Sequence, residues 1–554
     1  MALHPAVLAR LERLTPDQRA AATAPPGPVL CLAPAGSGKT TTLVARIAWL
    51  VATGTPAAEI AAIAFNKRAA DELVERVDGA LAPLGVSPGT VRIRTFHAFG
   101  REILRAAGRV VEPLVDRETL LRQVAPWADA TERRRLDTAF SALKLEHRVT
   151  VDEIVGDPAA GPRARAFVAY ERAIDDIGGL DFDDLVARPL ALLEADPALL
   201  AGWRSTCREL LVDEVQDVDR SQLELALLIA APANWIFLVG DDDQSIYGWR
   251  LADVRRVLDL AGRLSGLRRH DLVTNFRCPA PVVDRAARLV EHNVERFAKQ
   301  IVARPGAAGR LVLAPDAADD DDRARHVLAS WSGSLSAASD EPPTQAILAR
   351  TNRELLPAAA VALELGIPFR AERLLLPLQD PRLDDILAEI EDSVASGPLL
   401  VRIAELRRRL QAPVDRAGEP SDEAISMDDL VSAVLAWAAA FSEPVEFGQA
   451  IRQRREDLAR LQQADARLTL ATAHSTKGLE FDHVAVVDMD AGRFPSQRSL
   501  DDADDPARAL EEERRLAYVA WTRARRSLTL VYDPAAPSRF LLEAFEPDHL
   551  APVE

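Results

Sequence analysis

Ten times along the 554-residue chain, a short apolar run is followed at once by a polar cluster and then by a helical pattern. The runs are Val29–Leu32, Ile60–Phe65, Val91–Thr95, Leu210–Val212, Trp235–Val239, Leu272–Thr274, Ala346–Ala349, Leu468–Ala471, Val484–Val487 and Leu528–Val531. Short apolar runs that alternate with helices read as buried parallel strands of an α/β fold. In such sheets ligands bind beyond the carboxyl ends of the strands. Nearly every cluster of chemically useful residues in this chain lies just there. Two long stretches lack strand signals and read as helical insertions: about 101–203, and about 371–464 with a Pro/Gly-bearing loop near Gln411–Asp422. The acidic tracts Asp319–Asp322 and Asp501–Asp505 and the stretch Ser332–Pro343 read as solvated loops.

Composition narrows the class. Hydrophobic residues make up 48% and charged residues 27%, which excludes bulk disorder. At about 150 residues per domain the length corresponds to about four domains. No run approaches the roughly 20 apolar residues of a membrane span, and the N-terminal segment lacks the apolar centre of a signal peptide. Cys31, Cys207 and Cys278 lie far apart with no CxxC pair, so neither a disulfide framework nor a zinc ribbon is expected. A cytoplasmic location is the default expectation. Sixty-seven basic against 85 acidic residues give a net charge of −18, which argues against indiscriminate coating of nucleic acid but leaves room for a local basic groove. Only five lysines occur, Lys39, Lys67, Lys144, Lys299 and Lys477.

Ala33-Pro34-Ala35-Gly36-Ser37-Gly38-Lys39-Thr40 follows the first run and opens a helix. It departs from G-x-x-x-x-G-K-[ST] only in Ala33. Backbone amides of a small-residue loop at a helix N-terminus cradle phosphates. Lys39 would reach the β/γ-phosphates and Thr40 would hold Mg²⁺. Asp213 and Glu214 end the run at Leu210–Val212; the first suits the Mg²⁺ shell and the second the polarisation of an attacking water.

From these residues the resemblance becomes specific. The chain resembles the UvrD/Rep/PcrA family of superfamily 1A 3′→5′ DNA helicases in A-F-N-K-R-A-A-D-E-L (64–73), T-F-H-A-F-G (95–100), L-V-D-E-V-Q-D-V-D (211–219), V-G-D-D-D-Q-S-I-Y-G-W-R (239–250), N-F-R (275–277), A-T-A-H-S-T-K-G-L-E-F (471–481) and E-E-E-R-R-L-A-Y-V-A-W-T-R-A-R (511–525). The segments keep the family's order from about Leu14 to Tyr532. The resemblance implies two RecA-like P-loop domains with helical insertions that couple hydrolysis of Mg-ATP to movement on single-stranded DNA. It divides the chain into motor domain 1A (1–100 and 204–268), insertion 1B (101–203), motor domain 2A (269–370 and 465–554) and a reduced insertion 2B (371–464).

The resemblance also implies roles for individual residues. ATP contacts fall to the loop 33–40 with Thr41, to Gln18 on the adenine edge, Phe276 stacked on adenine, Arg277 at the γ-phosphate, Glu480 at the ribose and Arg523 as arginine finger. Gln18 has a second reading, as partner of Thr15 in a helix capping box. Gln244 would link the γ-phosphate to Tyr247 and Trp249, whose rings stack on bases. Phe65, Asn66, His97 and His474 are further DNA contacts. His97 alone would more often be a packed core histidine, and Lys67 could meet a phosphate or equally be a helix-surface lysine. Lys477 shares the His474 motif.

Two departures stand out. The second insertion spans only about 95 residues, and nine residues or fewer separate Tyr532 from Phe540, where the family places a strand-separating hairpin. With about 15 residues after Arg539, no fused nuclease domain of the RecB type is expected. The expectation is an ATP-driven DNA helicase of repair, recombination or replication that acts on single strands and single-strand/duplex junctions. The alternatives are the motor of a helicase–nuclease or Gabija-like anti-phage complex, whose protein partner supplies separation or cleavage, and an ATP-driven remodeller that displaces proteins.

Overall fold

The computed structural model describes residues 3–157, 159–335, 342–372, 374–392, 398–410 and 427–550. They form two compact units, Met1–Phe276 with Asn293–Arg304, and Arg277–His292 with Pro305–Glu554.

The first unit is built on six strands: β1 (Val29–Leu32), β2 (Ile60–Ala64), β3 (Arg92–Thr95), β4 (Glu209–Val212), β5 (Ile236–Gly240) and β6 (Arg268–Asp271). All pair in parallel in the order β3-β2-β4-β5-β1-β6. Successive residues bury on opposite faces. Val29, Cys31, Ile60 and Ala62 join one core, whereas Leu30, Leu32, Ala61 and Ile63 join the other. That explains why the strands read as continuous apolar runs. Helix Lys67–Leu81 shows why the intervening segments coil: Asn66 caps it by accepting the Ala69 N–H at 2.9 Å, and Ala70, Leu73, Val77 and Ala80 bury one face.

Within 101–203, Leu120, Leu121, Leu136, Phe140, Phe167 and Tyr170 form a separate core. Val186, Leu190, Leu193 and Trp203 instead pack under the sheet with Phe99 and Ile103. The sixth strand differs from expectation. It runs over Arg268–Asp271, polar residues at the sheet edge, and not over Leu272–Thr274. An edge strand needs no continuous apolar run, so this one gives no hydrophobic signal. A two-residue pair, β7 (Thr274–Asn275) with β8 (Val302–Ala303), ties the segment Asn293–Arg304 back onto this unit.

The second unit holds β9 (Arg310–Pro315), β10 (Gln345–Ala349), β11 (Phe369–Arg370), β12 (Leu468–Thr472), β13 (Phe481–Val486) and β14 (Ala524–Tyr532). They again pair in parallel, in the order β11-β12-β10-β13-β14-β9. The edge strand β11 has only two residues and gives no apolar run, whereas β9 carries one, Leu311–Ala314, that the ten expected strands do not include. Ile347, Leu468 and Leu470 share one core with Leu383, Ile386, Leu430, Val434, Phe447 and Leu458, so the helices of 382–461 lie as a layer on this sheet. The tract Asp319–Asp322 is not a loop throughout. Asp320–Asp322 form the first turn of helix Asp320–Leu335, where acidic side chains favour the helix N-terminus. Gln411–Asp422 and part of Ser332–Pro343 lie outside the described residues. After β14 the chain turns directly into helix Arg539–Ala544. Its connector is held against Met489–Ala491 by the bonds Ala491 N–H to Ala536 O and Ser538 N–H to Met489 O, both 2.8 Å. Among the described residues no helix is long and apolar enough to cross a membrane.

Candidate active site

The loop after β1 stands at the carboxyl end of the first sheet. Gly36 and Gly38 adopt φ of +68° and +84°, a region closed to most side chains, and Gly38 caps helix Lys39–Ala52. Ala33 needs no glycine. Its φ is not positive, it is buried, and its N–H donates to Gly240 O at 2.8 Å as a continuation of the sheet. Three residues brace the loop from outside. Gln18 donates to Ser37 O at 2.8 Å while its carbonyl accepts the Thr15 N–H at 3.1 Å. Asn275 donates to Ala35 O at 2.8 Å, and the Phe276 N–H to Gly36 O at 2.8 Å, which leaves the Phe276 ring 41% exposed beside the loop. The Ser37 hydroxyl is buried without a hydrogen-bond partner. The capping reading of Gln18 is thus realised, and the same amide also supports the phosphate loop.

Lys39 pairs with Glu214 at 3.3 Å. Glu214 holds an unusual left-handed backbone, φ +51°, just after β4, and its N–H donates to the Asp213 carboxylate at 2.9 Å. The other Glu214 oxygen accepts from Gln216 Nε2 at 2.6 Å, and Gln216 Oε1 accepts the Asp241 N–H at 3.0 Å. Asp241 in turn accepts from Gln244 Nε2 at 2.6 Å. A continuous polar path therefore runs from Lys39 through Glu214, Gln216 and Asp241 to Gln244. Gly240 makes room for it, because a Cβ there would stand 2.3 Å from Gln216 Oε1.

Three residues past Gln244, Tyr247 stacks on Phe65, with ring centroids 5.0 Å apart and planes at 22°. Trp249 meets Tyr247 edge-on at 6.2 Å, is 59% exposed and carries the Arg250 guanidinium over its ring at 4.7 Å. His97 is half-buried. It stacks at 4.0 Å on Phe182, which is itself 59% exposed. Burial pushes the His97 imidazole down to about 4, a nearby Asp183 opposing and Arg250 assisting, so the ring is neutral at neutral pH. Asn66 is exposed and caps its helix, and Lys67 follows on the exposed surface of that helix. Phe182 and Gln216 escaped the sequence reading. Phe182 lies in a helical stretch without a strand signal, and Gln216 has no feature that separates it from an ordinary polar residue.

In the second unit Arg277 pairs with Glu480 at 2.8 Å and donates to Thr522 O at 3.3 Å. Arg525 meets the other Glu480 oxygen at 3.3 Å. Arg523 is buried, donating to Val519 O at 2.8 Å, Leu479 O at 3.1 Å and Thr522 Oγ1 at 3.2 Å. His474 lies in the turn after β12. Burial, helped by Arg350, lowers its imidazole to about 3. Lys477 closes the same turn.

A phosphate loop, a carboxylate pair two strands away and an exposed aromatic ledge, with a second parallel sheet in the same chain, define a P-loop nucleotide-driven motor of the nucleic-acid-handling class. Comparison with known proteins gives the family. Residues 14–264 match the UvrD/REP helicase N-terminal domain and residues 443–534 the UvrD-like helicase C-terminal domain. The chain is 32% identical to ATP-dependent DNA helicase UvrD2 of Mycobacterium bovis, over 95% of this chain and 81% of the relative. It is 29% identical to DNA helicase II of Escherichia coli, over 94% and 84%, and 27% identical to ATP-dependent DNA helicase Rep of the same organism, over 97% and 94%. The chain belongs to the UvrD/Rep helicase family.

Proposed function

We propose that the chain is an ATP-driven 3′→5′ DNA translocase and helicase that works on single strands and single-strand/duplex junctions. The observation that carries this reading is the polar path from Lys39 to Gln244, which ends three residues from the ring that Tyr247 presents with Phe65 and Trp249. A nucleotide bound at the loop and a base stacked on the ledge would thereby be felt by one short segment. Base–aromatic stacking contributes about 1–3 kcal/mol per base and tolerates any sequence, as movement along arbitrary DNA requires.

In this proposal Lys39 leaves Glu214 for the β/γ-phosphates, and Glu214 is then free to orient water. Thr40 and Asp213 are hard oxygen donors that suit Mg²⁺, and the unpartnered Ser37 hydroxyl is a further buried polar atom in the loop. Magnesium, when bound, neutralises charge on the transferring phosphate. Gln18, Thr41 and Phe276 in the first unit, and Arg277, Glu480 and Arg523 in the second, carry the remaining nucleotide contacts. Phe65, Asn66, His97, Tyr247, Trp249 and His474 carry the DNA contacts, and Phe182 joins them.

The test is ATP turnover of the purified chain with and without oligodeoxythymidylate. DNA is expected to raise turnover, Lys39→Ala to abolish it, and Trp249→Ala to raise the DNA concentration needed for half-maximal stimulation by about tenfold. Turnover indifferent to DNA would refute the reading. A second reading, a motor that relies on a partner for strand separation, draws on the connector after β14. It closes onto Met489–Ala491 without forming a hairpin among the described residues.

A further inference from the structure

Asp241, Asp242 and Asp243 follow β5 in succession, and all three are fully buried. Three adjacent carboxylates out of water are costly unless each is paired. The cations come from far along the chain, in the strap Asn293–Arg304. Lys299, itself 1% exposed, contacts Asp241 at 2.8 Å, Asp243 at 2.9 Å and Asp242 as well, so its ammonium serves all three. Arg296 grips both Asp243 oxygens, at 3.0 and 2.9 Å, and the Phe297 N–H donates to Asp242 at 2.8 Å. Asp242 and Asp243 thus have both oxygens engaged by the strap. Asp241 alone has one oxygen on Lys299 and the other on Gln244.

This division has a chemical consequence. An ionised carboxylate only accepts hydrogen bonds, so it fixes the Gln244 amide with its NH₂ toward Asp241. Without Lys299, Asp241 loses the ammonium that holds one of its oxygens, and its carboxylate is free to turn away from the Gln244 NH₂. The strap is also distinctive in connectivity. The chain enters the second unit after Phe276, returns for Asn293–Arg304 and leaves again. We propose that Lys299 is a positioning residue for ATP hydrolysis: from the strap it fixes Asp241 and, through that carboxylate, the orientation of the Gln244 amide. The assignment rests on the proposed ATP-driven function, and it adds the strap as the element that sets the Gln244 segment.

The experiment compares ATP turnover, KM for ATP and thermal midpoint for the full chain, Lys299→Met and Asp242→Asn. Both substitutions unbalance the same buried cluster, but only the first removes a direct contact to Asp241. Lys299→Met is expected to lower basal kcat about tenfold, as loss of an oriented transition-state contact does, with KM for ATP changed by less than about twofold. Asp242→Asn is expected to shift the thermal midpoint while kcat stays within about twofold. The double variant Lys299→Met with Asp242→Asn removes one charge of each sign. It should fold even where the single lysine variant does not, and it should show the same loss in kcat. Retained kcat in either lysine variant, or kcat losses that follow the thermal midpoint equally in Asp242→Asn, would overturn the proposal. Wild-type turnover that DNA fails to raise would overturn the functional reading alone, because the lysine is read against basal turnover.

Discussion

Glu214 sits where two demands meet. Its backbone is held in the left-handed region and its carboxylate is shared between Lys39 and Gln216. Glu214→Gln keeps the shape and removes the charge, so it should retain ATP binding, measured with a fluorescent nucleotide, and lose hydrolysis by at least about a hundredfold. Gly240→Ala probes the same path from the other end. Its Cβ would press on Gln216 Oε1 at 2.3 Å and on Val215 Cγ1 at 2.9 Å. Overpacking of this kind costs about 1–3 kcal/mol, so a lower melting temperature together with a lower kcat is expected. A normal kcat would mean that Gln216 can shift without consequence. Residues such as Lys39, Asp213 and Glu214 were legible in the sequence because their roles depend on local order: a strand, a loop of small residues, a helix. Gln18 was legible twice over, and the structure shows it capping a helix and bracing the loop with one amide. Lys299 was visible only as a rare lysine. Its three carboxylate partners lie far upstream, Asp241 and Asp242 at 58 and 57 residues and Asp243 beside them, and no local pattern announces a contact of that kind.

At the scale of elements, the aromatic ledge is assembled from three separate places: the end of β2, the turn after β5, and the Phe182 turn that reaches His97 at the start of helix Phe96–Ala106. Because burial holds the His97 imidazole near 4, the ring is neutral at neutral pH and, in the proposed function, would meet DNA as a neutral aromatic. His97→Phe should therefore bind single-stranded DNA within about twofold of wild type, whereas His97→Ala and Phe182→Ala should each weaken it about tenfold. Fluorescence anisotropy with a labelled oligonucleotide would show this, and a loss in His97→Phe equal to that in His97→Ala would assign the residue a polar role. The same shift carries a stability consequence. A histidine that titrates near 4 in the native state and near 6.5 when unfolded costs stability as pH falls through that window, and contributes nothing above it. The melting temperature of His97→Phe relative to wild type should accordingly rise between about pH 6.5 and pH 4, and stay flat from about pH 7 upward. Elements themselves were legible in proportion to their burial. Central strands such as β1, β2 and β5 announce themselves by apolar runs, whereas β6 carries polar residues at a sheet edge and β11 has only two residues; β9, also at an edge, does hold the apolar run Leu311–Ala314 and meets the same criterion.

For the whole molecule, two sheets with almost the same parallel architecture could be anticipated from the repeated run–cluster–helix pattern. How the helical stretches attach to them could not, since amphipathic helices do not state which surface they cover. The structure gives the two stretches different characters: 101–203 keeps a core of its own in part, whereas the helices of 382–461 share theirs with the second sheet. Helices fused into a motor sheet in this way have no separate core about which to move as a body. Together with the connector Asp533–Ser538, which is bonded down on Met489–Ala491 and forms no hairpin among the described residues, this is what the partner-dependent reading draws on. On that second reading, ATP turnover and strand separation should part in solution. On a duplex with a 3′ single-stranded tail, DNA-stimulated ATP turnover is expected to be robust while strand separation by the isolated chain is slow, by about tenfold or more relative to its turnover. Both are measured in the same reaction, one by phosphate release and the other by loss of duplex fluorescence quenching. Separation that keeps pace with turnover would show that the motor splits duplexes without a hairpin after β14, and the partner-dependent reading would fall. Turnover without separation would direct the search to a protein that binds beside the junction and restores it.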